Sequence, residues 1–521
     1  MNYPSIFNDV IGPVMRGPSS SHCAASNRIG LIAGDLIGGN IRDVLIEFDV
    51  NGSLATTHDT QGVDIGLFAG FLGWKITDDR LLGSKSALKQ AGINHQIKIH
   101  DFRATHPNTY RITLSNQNES ISLQALSTGG GIIKVTALNQ IPVNIFGDCH
   151  ELLLFASSFP EDFLDSVKKE FSGCKILRHQ YQDQQLIEIK SITAFRSECY
   201  THLFQDVKGL VIRQVKPVLP ILSTSSVAVP FDSPTSALSY VKAHQLSPWQ
   251  VAIAYESARG NISEAAVIEK MAMIVVTIKK SIEQGLVGTS YSDRLLGYQS
   301  GQFQKQMKTK QLIECGVVNH MVLNITALME VKSAFGIIVA APTAGSCGTL
   351  PGSMIAVQDC FDYSDLEITK AMLVAGLIGV FIAKDSTFAA EVGGCQVECG
   401  AASGMLAAAF ISLNGGDFQQ CLGAASLALQ NIFGMTCDPV ANRVEVPCLG
   451  KNILAATNAL TSANMILAGF DAVIPLQETI IAFDQVGRSL PRALRCTGLG
   501  GLTMTETSKR LEATLTKNNQ L

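Results

Sequence analysis

The sequence predicts an α+β multidomain chain, with an N-terminal α/β domain, a small βαββαβ module and a C-terminal multihelical all-α domain. Three observations predict it. From Asp43 to about Ile141, short β-rich runs alternate with Gly-containing turns and helical stretches. From Leu152 to Ile212, strand-like and helix-like segments alternate in a compact order. After about Ser236, strands all but disappear and Ala-, Gly-, Leu- and Met-rich helical patterns take over. At 521 residues the chain is too long for one ordinary core, and length alone suggests roughly three domains.

In the first domain, residues 44–48, 97–99 and 110–114 read as strands, and the period-two alternation of Tyr110-Arg111-Ile112-Thr113-Leu114 suits a half-buried one. In the module, residues 152–155 read as a strand and 160–171 as an amphipathic helix. Residues 175–177 and 186–189 read as two further strands, 197–204 as a helical stretch and 209–212 as the last strand. That is the order of split-βαβ modules. Pro217, Pro220, Pro230 and Pro234, spread among Ser and Thr, mark a linker. Residues 265–282 and 321–331 read as helices, and Ala401-Ala402-Ser403-Gly404 lets helices approach closely. The boundaries expected are 1–145, 146–218, a linker at 219–236, and 237–515.

Composition narrows the function. Hydrophobic residues make up 46% and charged residues only 16%, which implies large buried interiors or subunit contacts, hence a homo-oligomer. A net charge of −4 and a pI near 6.2 offer no basic surface for nucleic acid, so a small polar substrate is expected. The most apolar run, residues 372–383, ends at Lys384-Asp385. It falls short of the roughly 20 residues a membrane span needs and reads as a core helix, so no membrane partner is expected. Thirteen cysteines without a basic-then-apolar leader point to the reducing cytoplasm.

Three cysteines carry the chemistry. Cys395 lies in Glu391-Val392-Gly393-Gly394-Cys395-Gln396, and Cys437 and Cys448 bracket a stretch holding Pro439 and Pro447. Eleven positions are too many for one helical face, and the prolines imply a loop that wraps. Three thiolates hold an iron–sulfur cluster while leaving one iron without a protein ligand, a catalytic arrangement rather than a purely electron-carrying one. Cys399, four after Cys395, shares a helical face with it, so spacing leaves open which of the two is the ligand. Singly, each cysteine is more often an inert core thiol.

Other motifs supply polar groups. Gly17-Pro18-Ser19-Ser20-Ser21-His22 precedes a helix-like run and suits a carboxylate cradle; the blander reading is a capping turn. In His58-Asp59-Thr60, followed by Asp64, an imidazole stands near carboxylates able to orient it as a base, although an exposed loop histidine is commoner. Ala341-Pro342-Thr343-Ala344-Gly345-Ser346-Cys347-Gly348 is a small-residue loop that lets backbone approach a ligand, or a tight turn between helices.

Taken together these motifs resemble the iron–sulfur-dependent L-serine dehydratases (L-serine ammonia-lyases). Residues 11–22 are similar to the signature of their β part. The 341–345 loop, Gly393-Gly394-Cys395-Gln396, Cys437-Asp438-Pro439-Val440 and Val446-Pro447-Cys448 are similar to their α part, as are residues 486–491 and 499–502. The resemblance implies β-like and α-like parts fused in one chain with a divergent ACT-like module between them. It implies Cys395, Cys437 and Cys448 as ligands of a [4Fe–4S] cluster, with Cys399 outside the set. Some members place a C-terminal cysteine on the open iron; this chain ends Lys517-Asn518-Asn519-Gln520-Leu521, so that occlusion is not expected. Cys23 stands where the family usually has Thr.

The mechanism implied is β-elimination of water from L-serine, giving pyruvate and ammonia. The open iron takes up developing charge on the leaving oxygen, and His58, or else His22, removes the α-proton. Ser19, Ser20, Ser21, Thr60, Thr343, Gly345 and Ser346 hold the substrate. The rival readings are the same chemistry on L-threonine or L-cysteine, and a non-catalytic amino-acid-binding regulator. A pyridoxal-phosphate dehydratase needs a Schiff-base lysine in a phosphate-binding setting, which the sequence does not offer.

Overall fold

The computed structural model describes residues 3–518 except 13, 201–206, 224–227 and 292–293. Strand β1 (Val14–Arg16) comes first, followed by helix Ala25–Ile37 and then β2 (Asp43–Asp49). The short helix Leu54–Thr57 and helix Val63–Phe71 lead to β3 (Asn94–His100). Strands β4 (Thr109–Ser115), β5 (Ser120–Gly129), β6 (Ile132–Leu138) and β7 (Ile141–Ile145) complete a sheet of order β3-β2-β4-β5-β6-β7. Only the β2–β3 pair is parallel; the rest is an antiparallel meander. Buried and part-exposed residues alternate along β4 and β5, so one sheet face packs under the two longer helices. β5 and β6 lie within the expected β-rich region but are not among its named runs, because Ser, Thr, Gln and Lys occupy much of their outer face.

A second sheet follows: β8 (His150–Ala156), β9 (Lys175–Tyr181), β10 (Gln184–Ser191) and β11 (Val211–Val215). Its order is β11-β8-β10-β9 with every neighbour antiparallel. Helix Phe163–Glu170 buries Phe163 and Val167 against Leu152, Leu154, Ile187 and Ile189. Within the expected helical stretch 197–204, a 3-10 turn covers Ser197–Cys199, and residues 201–204 lie outside the described residues.

From Pro234 onward the chain is helical apart from β12 (Ile337–Val339). Helices Glu264–Val287, Val317–Ser333, Asp365–Asp385 and Cys399–Leu413 pack in one core. Two segments, Asp365–Asp385 and Cys395–Leu413, are long and apolar enough to cross a membrane, but 78% and 83% of their most apolar windows are buried within the protein. At the Ala401–Gly404 stretch, Ser403 Oγ donates to Ala455 O at 2.7 Å, the close helix approach expected there.

Two contacts fasten the N-terminal segment to the helical part. β12 pairs antiparallel with β1, Val14 opposite Val339 and Arg16 opposite Ile337. β12 is the short exception within a part where strands all but disappear, as expected, and a three-residue strand with its partner some 320 residues away has no local signature. Residues Ile6–Val10 form a π-helical turn whose Ile6, Phe7 and Val10 are buried in the helical core. Gly376 and Gly379 make room for it; a Cβ on either would collide with Ile6 or Val10 respectively. Glu256 holds the turn, accepting from Ser5 Oγ and from Ile6 N at 2.7 Å.

Candidate active site

Helices Ala25–Ile37 and Val63–Phe71 touch backbone to backbone through Gly30 and Gly70; a Cβ on Gly70 would lie 2.7 Å from Gly30 Cα. This places the segments ahead of them, Ser19–His22 and Thr57–His58, side by side. Buried His22 has Nε2 2.8 Å from Thr57 Oγ1 and Nδ1 2.9 Å from Ser19 Oγ. Thr57 gives its only hydroxyl proton to Ser53 O at 2.7 Å. It must therefore accept from Nε2–H, leaving His22 Nδ1 to accept from Ser19. Burial pushes the His22 pKa down, opposed by the charge of Glu391.

The serine hydroxyls face inward. Ser21 Oγ donates to Glu391 Oε1 at 2.8 Å, and Ala344 N donates to Ser20 Oγ at 3.2 Å. Ser19 makes no side-chain capping bond, and a π-helical turn (Ser20–Ala24) separates it from the α-helix. The simple α-helical N-terminus expected after the serines is thus replaced by a turn that points them at other loops. His58 Nδ1 lies 2.9 Å from Asp64 Oδ1. Burial depresses its pKa, but the Asp64 hydrogen bond and the charges of Asp64 and Asp59 outweigh that and raise it. Thr60 turns back, its hydroxyl donating to Thr57 O at 3.5 Å.

The helical part answers with the loop after β12. Thr343 Oγ1 donates to Glu398 Oε1 at 2.6 Å and lies 3.2 Å from Ser346 Oγ. Gly345 is needed for this closure, since a Cβ there would stand 2.7 Å from Glu398 Oε1. Burial, reinforced by the nearby Cys395, pushes the Glu398 carboxyl up to about 8.

Cys395 follows Gly394, whose φ of +73° and closeness to Leu490 and Met435 O exclude a side chain. Cys395 shares hydrogen bonds with Cys437 and Cys448, which hold its thiol well below the ordinary range, with Lys451 assisting against burial. Lys451 Nζ lies 3.9 Å from Cys395 Sγ and 2.8 Å from Asp438 Oδ1. Cys448 opens helix Cys448–Leu467, whose amide end favours negative charge. The expected wrapping loop is present: Val440 N donates to Val446 O at 2.8 Å, and Lys332 Nζ donates to Val444 O. Cys399 stands beside the trio, where burial and the charge of Cys395 push its thiol up, and its sulfur accepts from Asn452 Nδ2 at 3.6 Å. Among the described residues, no group of three or more His, Cys, Asp or Glu side chains is arranged to hold a single metal ion.

The structure therefore joins the serines, His22, the 343–346 loop and the three cysteines through Glu391 and Glu398, and brings in no direct contact from Thr60. Ser53 Oγ, at the start of the helix before His58, donates to Cys496 O at 3.4 Å. Sequence reasoning missed Glu391, Glu398, Lys332, Lys451 and Cys496. Glu391 and Glu398 flank Cys395 by four and three positions, the one signal that marks them. Cys496 is bound to Cys437 by side-chain and backbone hydrogen bonds, and nothing local announces it.

Comparison with known proteins bears on these parts. The chain is similar to the probable L-serine dehydratase beta chain of Bacillus subtilis, 36% identical over 154 residues, 30% of this chain and 69% of that one. It is similar to the probable L-serine dehydratase alpha chain of Bacillus subtilis, 34% identical over 275 residues, 53% of this chain and 92% of the relative. With L-serine dehydratase 1 of Escherichia coli it is 29% identical over 287 residues, 54% of this chain and 63% of the relative. The family model described as serine dehydratase alpha chain matches residues 243–503, the segment that holds the three cysteines and the 341–348 loop, and the chain belongs to that family.

Proposed function

We propose that this chain removes water from L-serine, releasing pyruvate and ammonia, with a [4Fe–4S] cluster held by Cys395, Cys437 and Cys448. One observation carries the reading: a hydroxyl-rich loop from each half of the chain meets the other, Ala344 N donating to Ser20 Oγ at 3.2 Å, and Glu398, which accepts from Thr343, stands beside the buried Cys395. The donor set fits the group. All three sulfurs are soft ligands, and Cys395 is held toward the thiolate with Lys451 beside it. When bound, the cluster supplies a Lewis-acidic iron that makes hydroxide an acceptable leaving group.

The chain's own groups do the rest. His58, oriented by Asp64, takes the α-proton; its Nδ1 is occupied, so Nε2 is the reacting atom. His22 is tied at both nitrogens and fixes Ser19. Ser19, Ser20 and Ser21 with Thr343, Gly345 and Ser346 hold the carboxylate, and Thr60 supports the His58 turn. Loss of water leaves aminoacrylate, which tautomerises and hydrolyses to the products.

The same proposal divides the chain into 1–145, an ACT-like module at 146–218, a linker at 219–236 and a catalytic part at 237–515. The antiparallel order β11-β8-β10-β9 supports the module. It places the enzyme in the cytoplasm as a homo-oligomer. Anaerobic purification, iron and acid-labile sulfide analysis and a pyruvate assay with L-serine test it. Deamination by protein holding neither iron nor sulfide overturns the cluster; absence of pyruvate from cluster-bearing protein overturns the reaction.

A further inference from the structure

L-Serine brings three polar groups, and the site so far accounts for two. The thiol patch serves the hydroxyl and the serine and 343–346 loops serve the carboxylate, which leaves the α-ammonium. A buried cation needs a buried acceptor with a free lone pair.

Glu391 supplies one. It is only 6% exposed, its Oε1 accepts from Ser21 at 2.8 Å, and its Oε2 is buried with no hydrogen-bond partner. A carboxylate oxygen left in that state is costly unless a ligand completes it. Glu398, the other acid at the site, has Oε1 committed to Thr343. Two further orphans stand on the same seam. Asn108 is fully buried with both side-chain amide atoms unpartnered, and Ser127 is fully buried with an unpartnered hydroxyl. Ser127 N donates to Asn108 O at 3.1 Å. Two residues beyond Ser127, Gly129 bridges Phe388, three residues before Glu391. The end of β5 therefore brings Ser127, with Asn108 held beside it from the residue before β4, toward the segment that bears Glu391. Core packing explains none of them, since a packed core pairs its polar atoms.

We propose that Glu391 is the receptor for the substrate's α-ammonium, with Asn108 and Ser127 completing its polar surround, and that it thereby restricts the site to α-amino acids over the corresponding 2-hydroxy acids. The assignment rests on the serine reading above and adds a specificity-determining residue to it.

Calorimetric binding of L-serine and of glycerate, which carries hydroxyl where serine carries ammonium, tests it on the cluster-bearing enzyme. Wild type binds serine more tightly than glycerate. Glu391→Gln loses about 10- to 100-fold of the serine affinity, the usual worth of a hydrogen bond to a charged group, while glycerate binding stays within about twofold. A variant that weakens both ligands equally overturns the proposal, because a merely structural role acts that way. Wild type that binds glycerate as tightly as serine overturns it without reference to any variant. Wild type that neither binds nor deaminates L-serine sinks the functional reading beneath it, and this assignment with it.

Discussion

His22 and His58 are near neighbours in the fold with opposite electrostatics. Burial lowers the first; carboxylates raise the second. If His58 is the base, it works only when deprotonated, so the acid limb of kcat/KM lies above the ordinary histidine value of about 6.5. Asp64→Asn keeps an acceptor for Nδ1–H and removes the charge that helps raise it, so the limb moves to lower pH; a pH profile that does not move assigns the base elsewhere. His58→Ala should cost about 10²- to 10⁴-fold in kcat with the cluster retained. Lys451 belongs to the same scale. Its ammonium lies 3.9 Å from Cys395 Sγ and is anchored on Asp438. Such outer partners of metal ligands typically carry about 10- to 100-fold of metal affinity. Lys451→Met should thus lower the iron and sulfide retained per chain through gel filtration; unchanged retention would remove Lys451 from cluster binding.

At the scale of elements, helix Asp365–Asp385 shows what a sequence reveals and conceals. Its apolar run is legible as a core helix, and it is one. What it packs against is not legible. Nothing in residues 6–10 names a partner, yet Ile6 and Val10 lie against Gly376 and Gly379. Period and propensity report a residue's own element, whereas this contact joins segments about 370 residues apart. The same limit hid β12, whose three residues become a strand only because β1 is beside them. That Cys395, Cys437 and Cys448 come together was legible because family motifs surround each of them, whereas the link of Cys496 to Cys437 exists only after folding. Gly379→Ala tests the packing. The added methyl meets Val10, and overpacking of this kind costs about 1–3 kcal/mol. A fall in Tm is expected, and a Tm at or above wild type would mean the turn sits loosely.

Across the whole molecule, these contacts bind the N-terminal segment and the helical part into one unit. Ile6, Phe7, Val10 and Ile11 are at most 2% exposed, and burying each such side chain contributes about 1.5–3 kcal/mol. Their sum matches the entire stability of an ordinary domain, about 5–15 kcal/mol. Strand pairing β1–β12 and the Glu256 bonds to Ser5 and Ile6 add to the same junction. A helical part cut away at the linker would leave the seat of the Ile6–Val10 turn empty and apolar surface open to water. Two outcomes follow. The intact chain should unfold the helical part and its docked N-terminal segment in one calorimetric transition. A 237–521 fragment made alone should be aggregated or loosely packed, and should gain native-like near-ultraviolet dichroism when a peptide of residues 1–16 is added. A fragment that melts cooperatively at the intact chain's temperature without the peptide would show that the segment merely decorates the core.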